Sequence, residues 1–237
     1  MIHNFSASYA GHVIDENIGL AGTPANDRWY SNDQLIETFD WALDISKHLE
    51  HLGFQEFWMA EHHFTRYGLG AAQNVLASNI LARTTTLRMG SAIAVSPLHL
   101  PARLAEEIAT LDVLSGGRID VGFGRGAAGS EYNVAYVPLE ESQTRFRESI
   151  TMIEGLWTNK NYSFEGEHYK ITSANLVPMP VQQPHPPIFI AATRTKATQE
   201  FVAGSGHPLL VGVVLDTVDA IALCHTMVAL AKSKGND

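Results

Sequence analysis

Three absences narrow what this chain can be. Cys224 is the only cysteine among 237 residues, so no intrachain disulfide can form, as is usual in a reducing cytosol. No apolar run approaches the ~18 residues of a membrane-spanning helix, and the N-terminus lacks the basic-then-apolar pattern of a signal peptide. No cluster of Lys or Arg occurs, and the net charge is -9. These absences predict a cytoplasmic protein with neither a membrane nor a nucleic acid as partner.

What the sequence does contain is a large core arranged as repeated strand and helix patterns. Hydrophobic residues make up 45% of the chain and charged residues 17%, which is typical of a globular protein. Six apolar strands, each followed by a helix, are predicted in order. The strands are residues 2–9, 54–60, 87–96, 118–123, 187–192 and 209–215, and the helices are residues 31–52, 71–82, 101–114, 141–158, 196–204 and 216–232.

Regular alternation of strand and helix predicts a parallel sheet with right-handed crossovers. A closed (β/α)₈ barrel needs eight strands and typically about 250 residues, whereas six units are found here. The pattern therefore leaves two architectures open, an open parallel sheet or a barrel without its last two units. Residues 10–30 and 127–140 are predicted as loops, and both exceed the usual βα connection of about 2–6 residues, which favours a role in binding.

Ionisable residues cluster where the second predicted strand ends, at Glu61, His62 and His63. Neighbouring side chains of a strand point to opposite faces, so at most one of the two imidazoles points into the site. A histidine there can act as a base, an acid or a hydrogen-bond donor near neutral pH, although both could equally be structural. Neither an HxH nor an HExxH spacing occurs, and we predict no metal site.

Two further strand ends carry candidates for anion binding. The fourth strand ends in a glycine-rich turn with Arg125, and glycines allow a ligand to approach the backbone closely. The fifth strand is followed by Thr193, Arg194 and Thr195 at a helix start, where free N–H groups favour a phosphate. Ordinary helix capping by Thr193 or Thr195 explains the same residues equally well.

The motifs in register resemble one known family. The segment AEHHF at residues 60–64, the long stretch from GLGAAQNV to GFGRG at residues 68–126, SQTRFRESITMIEGLWT at 142–158 and PPIFIAAT at 186–193 are similar to the bacterial luciferase-like, flavin-dependent monooxygenases. The resemblance covers essentially the whole chain. It implies an α/β fold, a TIM (β/α)₈-type barrel that lacks its last two β/α units, as a single domain over residues 1–237.

The function that the resemblance implies is a two-component monooxygenase. Such an enzyme uses reduced FMN, supplied by a separate flavin reductase, and O₂ to oxygenate a small organic substrate such as an aldehyde or alkane. His62 matches a catalytic histidine, and Ala92 and Ile93 match a dipeptide against the flavin ring, with a cis peptide bond expected. Arg125, Thr193, Arg194 and Thr195 match phosphate-binding positions.

Departures from the family pattern leave alternatives open. Gly124 stands where the luciferase α-subunit has a reactive cysteine, so light emission is not implied. Gln143 occupies a position that is often Arg, for which Arg145 is a possible substitute. The alternatives are a non-catalytic flavin-binding protein resembling the luciferase β-subunit and a reductase that uses the deazaflavin F420. The resemblance also implies a homodimer, formed through the helices at residues 71–82 and 101–114.

Overall fold

A computed structural model of the chain describes residues 5–13, 30–212 and 214–236. Strands and helices alternate through most of this length, as the sequence pattern predicts. The strands are β1 (Ser6–Tyr9), β2 (Glu56–Met59), β3 (Arg88–Val95), β4 (Ile119–Gly124), β5 (Tyr162–Glu165), β6 (Lys170–Ala174), β7 (Ile188–Ala192) and β8 (Leu209–Val211). The helices are α1 (Asn32–His51), α2 (Gln73–Leu81), α3 (Pro101–Ser115), α4 (Gly129–Val134), α5 (Ser142–Thr158), α6 (Lys196–Ser205) and α7 (Thr217–Ser233).

Six of the strands form one sheet in the order β1-β2-β3-β4-β7-β8, and every neighbouring pair is parallel. The remaining two, β5 and β6, form the predicted antiparallel hairpin between α5 and β7. The sheet is a curled half-barrel with β1 and β8 at its two edges. This confirms the predicted α/β class and the barrel-type order of the strands. Because all six strands are parallel, their C-terminal ends lie along one rim, where the candidate site residues meet.

Local sequence signals account for where the helices begin and end. Ser31 and Gln34 form the predicted capping box at the start of α1, and Gly53 follows that helix with φ +82°, as a left-handed C′ residue. Pro101 is the first residue of α3, and Gly116 ends it in the left-handed conformation. None of the described helices combines the length and apolarity needed to cross a bilayer.

The core lies between the sheet and the helices that cover it. Its largest fully buried side chains are Trp157, Tyr132, Phe57, Phe123, Phe146, Ile80, Leu87, Met89, Ile150, Ile153, Leu156 and Ile190. Burying such a side chain contributes roughly 1.5–3 kcal/mol. The Trp157 indole N–H is satisfied within the core because it donates to the Ala105 carbonyl at 3.1 Å. This packing of α3 against α5 fixes the strand ends that carry the polar groups.

Two sequence predictions need correction. Residues 127–140 are not simply a loop, because they contain α4 and the beginning of a 3₁₀ turn at Leu139–Glu141. This helix was missed because its six residues include two buried ones, Glu131 and Tyr132, and no apolar periodicity. The last strand is Leu209–Val211, shorter than predicted, and its predicted extent includes residue 213, which lies outside the described residues. Most of the predicted loop at residues 10–30 also lies outside them.

Candidate functional site

The rim of the half-barrel begins with a hydrogen-bond network around Glu61, just after β2. The carboxylate is 4% exposed, and its Oε1 lies 2.6 Å from His63 Nε2 and 2.8 Å from His99 Nε2. Its Oε2 accepts the Val95 backbone N–H at 3.0 Å. Glu61 therefore ties the end of β2 to the end of β3 and to the 3₁₀ turn, Ser96–Leu98, that follows.

The charge state of this network follows from its geometry. Burial is the largest influence on Glu61 and opposes its ionisation, but hydrogen bonds from His63 and His99 and their positive charge lower its pKa to about 2. Burial likewise opposes the charged form of His99, yet its hydrogen bond to Glu61 and that carboxylate's charge raise the pKa of His99. Glu61 is therefore an anion at neutral pH, and the two imidazole N–H groups donate to it.

His62 belongs to a separate pair with Glu131. Its Nδ1 lies 3.2 Å from Glu131 Oε1, which also accepts the His63 backbone N–H at 3.1 Å. The imidazole is 20% exposed, the carboxylate is 3% exposed, and the Tyr67 ring contacts His62 edge-on at 5.0 Å. The two histidine rings thus bond to different carboxylates, although both residues lie beyond the end of β2 at Met59, where the alternation of a strand does not apply. Because Nδ1–H donates to Glu131, Nε2 carries the free lone pair in the neutral ring.

Groups that could ligate a metal occur twice in the described part of the chain. Glu61, His63 and His99 form one, and Glu148, Glu167 and His168 form the other, each with three ligand-type atoms within 4.8 Å of one another. In the first, the carboxylate is already an acceptor for both imidazoles. In the second, Glu148 accepts the backbone N–H groups of residues 167–169. Both arrangements are hydrogen-bond networks within the protein, and the absence of a metal site stays a prediction.

The end of β3 carries the expected cis peptide bond between Ala92 and Ile93. The pairing of β3 with β4 shifts its register at this point, between Ala92 and Ala94. Gln73, a buried residue of α2, donates to the Met59 carbonyl at 2.8 Å and to the Ile93 carbonyl at 3.2 Å. Gly124 lies beside it, and a Cβ at this position would meet the tip of the Ile93 side chain. A cysteine at residue 124 would therefore require the Ile93 side chain to move.

Arg125 follows β4 and points towards the start of α5. Its Nη1 donates to Ser142 Oγ at 2.9 Å, and its carbonyl accepts the Tyr132 hydroxyl through a very short hydrogen bond. Burial raises the pKa of Tyr132 to about 12, so this hydroxyl remains a donor at neutral pH. Since β4 and β7 are paired neighbours, Arg125 follows the strand next to the one that leads to Thr193, Arg194 and Thr195.

The start of α6 keeps its N-terminus open. Thr195 is the N-cap residue, but its side chain makes no capping hydrogen bond. Thr193 engages through its carbonyl, which accepts from Gln199 Nε2 at 2.6 Å, and Arg194 is exposed. Capping by the threonine side chains, the alternative left open by the sequence, is therefore not what the structure shows for Thr195. The Thr198 N–H donates to the Thr195 carbonyl at 3.0 Å, and no side chain of the described residues is recorded as an acceptor for the N–H groups of residues 196 and 197.

Two side chains of α5, Gln143 and Arg147, contact the start of α6. Each also has a buried N–H group without a described hydrogen-bond acceptor. Gln143 accepts the Thr198 hydroxyl at 3.1 Å, while its buried Nε2 has no hydrogen-bond partner in the parts of the chain that the structure describes. Arg147 donates from Nη2 to the Ala197 carbonyl at 2.9 Å, and its buried Nε likewise has no described partner. Arg145, the possible substitute cation, is instead paired with Glu141, with Nη2 and Oε2 2.6 Å apart.

These donors form an environment suited to a phosphate group. An ionised phosphate only accepts hydrogen bonds. Buried donors without acceptors and a helix N-terminus without a side-chain cap supply the N–H groups that such an anion needs. Arg147 and Ser142 were missed from the sequence because both lie on a helix whose dominant signal is its apolar face. The spacing of Gln143 and Arg147, four residues apart on one side of α5, is the signal that could have found Arg147.

The sequence is similar to that of known flavin-dependent monooxygenases. A model of the family described as luciferase-like monooxygenase matches residues 17–237. The oxygenase component of the flavin-dependent trigonelline monooxygenase from Acinetobacter baylyi is 30% identical over 172 residues, covering 72% of this chain and 47% of that protein. The alkanal monooxygenase alpha chain of Photorhabdus luminescens is 28% identical, covering 85% of this chain and 55% of that protein.

Solved structures share the fold. The monooxygenase RslO1 from Streptomyces bottropensis superposes with a TM-score of 0.79 at 27% identity, covering 84% of this chain and 61% of that one. An F420-dependent secondary alcohol dehydrogenase gives 0.71 at 21% identity, covering 84% of this chain and 62% of that one, which shows the fold alone. The chain spans about half the length of the curated relatives it matches, with 50% and 52% of two proteins from Sinorhizobium fredii.

Proposed function

Because the chain belongs to the luciferase-like monooxygenase family, we propose that it is the oxygenase of a two-component system that uses reduced FMN and O₂. The observation that carries this proposal is the set of unpartnered donors on Gln143 and Arg147 beside the open start of α6. A buried donor without an acceptor costs roughly 1–3 kcal/mol, so its retention indicates that a ligand supplies the acceptor. Family membership makes a flavin phosphate the natural occupant.

The residues divide into two tasks. Arg125, Gln143, Arg147 and the strand end at Thr193, Arg194 and Thr195 would hold the phosphate, and Ala92 and Ile93 would lie against the isoalloxazine ring. Bound reduced flavin supplies the electrons for oxygen activation, which no side chain of this chain could provide. Binding energy at the phosphate is remote from the reacting atoms and therefore serves to fix the orientation of the ring.

His62 would act on protons beside the ring. Glu131 accepts from Nδ1 and so fixes the tautomer in which Nε2 is unprotonated and able to accept a proton or a hydrogen bond. Tyr67 packs edge-on against the same imidazole and limits its reorientation. Gln73 holds the ends of β2 and β3 together, which keeps His62 and the Ala92–Ile93 peptide in a fixed relation. These are positioning roles that the chain can perform before any ligand binds.

We also propose that the protein forms a homodimer and that a separate enzyme supplies its reduced FMN. The described residues include large exposed apolar side chains on α2 and around α3, namely Val75, Leu100, Val113 and Leu114. These support a homodimer through α2 and α3. A separate flavin reductase would deliver the reduced cofactor, and the chain would form one cytoplasmic domain over residues 1–237. Sedimentation at increasing protein concentration tests the dimer, and Leu114→Glu should shift the equilibrium towards the monomer.

Oxygen consumption in the presence of a reductase tests the activity. With FMN, NADH and a general flavin reductase, addition of a productive aldehyde or other small substrate should couple O₂ uptake to product formation. His62→Ala should remove product while the reductase still consumes O₂ to form peroxide. Hydride transfer to or from F420 without O₂ uptake would replace this proposal with the reductase alternative. Flavin binding with no product for any substrate class would favour the non-catalytic alternative.

A further inference from the structure

A second set of buried donors lacks acceptors, and it lies outside the phosphate-binding residues. Arg66 is only 7% exposed, and its Nε, Nη1 and Nη2 make no hydrogen bond to any part of the chain that the structure describes. The hydroxyl of Tyr30 and the Nδ1 of His12 are also buried and without a described partner. All three side chains can donate hydrogen bonds, and the guanidinium is always charged.

Burial makes the state of Arg66 energetically unusual. A guanidinium removed from water loses its hydration, and the loss is compensated only when an anion or several acceptors replace the water. The Tyr30 ring lies over the guanidinium, with Cζ 5.0 Å from the ring centre, so one face of the cation is covered. A ring above the plane leaves the in-plane N–H groups unsatisfied. Those N–H groups form the fork that pairs with two oxygens of a carboxylate.

Arg66 lies nearer in the fold to His62 than to the proposed phosphate-binding residues. It lies in the segment after β2, next in the chain to Tyr67. Tyr67 contacts the His62 ring at 5.0 Å and stacks with the His12 ring at 6.5 Å. The phosphate donors follow β4 and β7, which are two and three strands away from β2 in the sheet. The unpartnered cation is therefore on the His62 side of the rim.

We propose that Arg66, with the Tyr30 hydroxyl and His12 Nδ1, binds the carboxylate of an organic acid that is the substrate of this protein. The guanidinium supplies charge and the two-pronged geometry, while the rings of Tyr30, Tyr67 and His12 supply flat apolar surfaces for the body of the acid. Identifying that acid as the substrate rests on the proposed function; the carboxylate site itself does not. The unpaired guanidinium of Arg66 destabilises the free protein, and binding of an anionic ligand offsets that cost. The site thereby favours anionic over neutral ligands.

Calorimetric titration with benzoate tests the site directly, with benzamide as the neutral analogue of the same shape. The unmodified protein should bind benzoate and be stabilised against heating, whereas benzamide should have no effect at the same concentration. Arg66→Met should weaken benzoate binding by about 10-fold or more, and Arg66→Lys should retain part of the affinity because it keeps the charge without the fork. Arg83→Met is the matched control, since Arg83 is exposed and bonded to Asn79.

The thermal stability of Arg66→Met without ligand gives an independent readout. Replacing an unpaired buried cation with an apolar chain of similar length should leave the melting temperature unchanged or raise it. A large fall in melting temperature would show that a carboxylate of the chain itself pairs with Arg66 in solution, and would overturn the proposal. Equal binding of benzoate to Arg66→Met and the unmodified protein, or no binding to either, would also overturn it.

Flavin binding measured on the same two proteins separates this proposal from the proposed function. Arg66→Met should bind FMN as the unmodified protein does, because the phosphate donors follow other strands. Failure of both proteins to bind FMN would contradict the proposed function while leaving the carboxylate result intact. Loss of FMN binding in Arg66→Met alone would assign the cation to the flavin and overturn the assignment to a substrate acid.

Discussion

The two ends of the rim satisfy their polar groups differently. At the β2 and β3 ends, Glu61 and Glu131 pair with His62, His63, His99 and two backbone N–H groups. At the β4 and β7 ends, Gln143 Nε2 and Arg147 Nε are buried and have no described acceptor, and the start of α6 is uncapped by a side chain. The Glu61 and Glu131 carboxylates are satisfied within the protein and hold the imidazoles in place, whereas Arg66, later in the segment after β2, has no described acceptor. The donors beside α6 are like Arg66 in this respect, and an external acceptor would satisfy them.

This contrast distinguishes positioning from binding. In a network satisfied within the protein, internal hydrogen bonds offset the cost of burial and fix the orientation of the members. Buried donors without acceptors cost free energy in the empty protein, and that cost is recovered on binding. Changes to the Glu61 and Glu131 networks should therefore alter turnover or stability, while changes to the unpartnered donors, beside α6 or at Arg66, should alter ligand affinity. Each prediction below tests one side of this comparison, from the largest expected effect to the smallest.

Removing the His62 imidazole should have the largest effect. His62→Ala is expected to lower product formation by about 100- to 10,000-fold, because a positioned general base or acid is lost. FMN affinity should change little, since the described side-chain partner of His62 is Glu131 and not one of the proposed phosphate donors. Steady-state rates and flavin fluorescence titration measure the two quantities. The exposed His225 on α7 provides the control, and His225→Ala should match the unmodified protein in both assays.

Acid should destabilise the protein through Glu61. Its pKa is about 2 in the folded chain against 4.5 in the unfolded chain, so the network contributes stability above about pH 4.5 that is lost as the pH falls towards 2. The full loss amounts to about 3 kcal/mol of unfolding free energy. Urea unfolding at a series of pH values measures it. His99 acts in the opposite sense, because its raised pKa gives stability that is lost as the pH rises through that pKa.

Glu50 is the carboxylate that must be separated from Glu61 in this experiment. It lies at the opposite end of the sheet, where the backbone N–H groups of residues 85–87 bond to it, and its pKa is also lowered to about 2. Glu50→Gln should therefore leave the part of the acid transition due to Glu61 in place. An acid transition that vanishes in Glu50→Gln would contradict the assignment to the histidine network.

Neutralising the carboxylate behind His62 should have an intermediate effect. Glu131→Gln keeps the shape but removes the anionic acceptor that fixes the Nδ1–H tautomer, so turnover should fall by about 10- to 100-fold. Steady-state rates measure turnover, and thermal unfolding measures stability. A purely structural role for Glu131 would lower the melting temperature and leave the turnover of the folded protein in place.

The smallest effect is expected at Ser142, which orients Arg125 through one hydrogen bond of 2.9 Å. Ser142→Ala should weaken FMN binding by about 3- to 10-fold, consistent with a net contribution near 1 kcal/mol for one hydrogen bond. Turnover at saturating flavin should be unchanged. A fall in the saturated rate would show that Ser142 acts on the histidine side as well, and would weaken the separation of the two sides.

The secondary structure could be predicted from the sequence wherever apolar periodicity and turn residues mark the strands and helices. The six parallel strands, the helices between them, the capping box at Ser31 and the hairpin follow from apolar spacing and from turn residues. His62 and His63 do have different partners, but both follow the end of β2 at Met59, so strand geometry is not the reason. The cis bond at Ala92–Ile93 was expected only from the family resemblance, since neither residue carries a local signal for it.

The partners of the other site residues depend on tertiary contacts that the sequence does not reveal. Glu131 lies in a six-residue helix without apolar periodicity, and only the folded chain shows that this carboxylate reaches both His62 and the His63 backbone. His99 looked like an ordinary loop residue, 38 positions away from the carboxylate it bonds to. Arg145 and Arg147 are equally plausible as cations on α5, and only packing decides that Glu141 pairs with one while the other reaches α6.

The comparison of FMN with riboflavin on the unmodified protein and on Arg147→Met tests the central claim most directly. Riboflavin carries the same ring without the phosphate, so the ratio of the two affinities isolates the contribution of the α6 side. The unmodified protein should prefer FMN by about 10- to 100-fold, and Arg147→Met should lose most of that preference while its affinity for riboflavin is unchanged. Equal affinities for the two flavins in the unmodified protein, or a full preference in Arg147→Met, would contradict it.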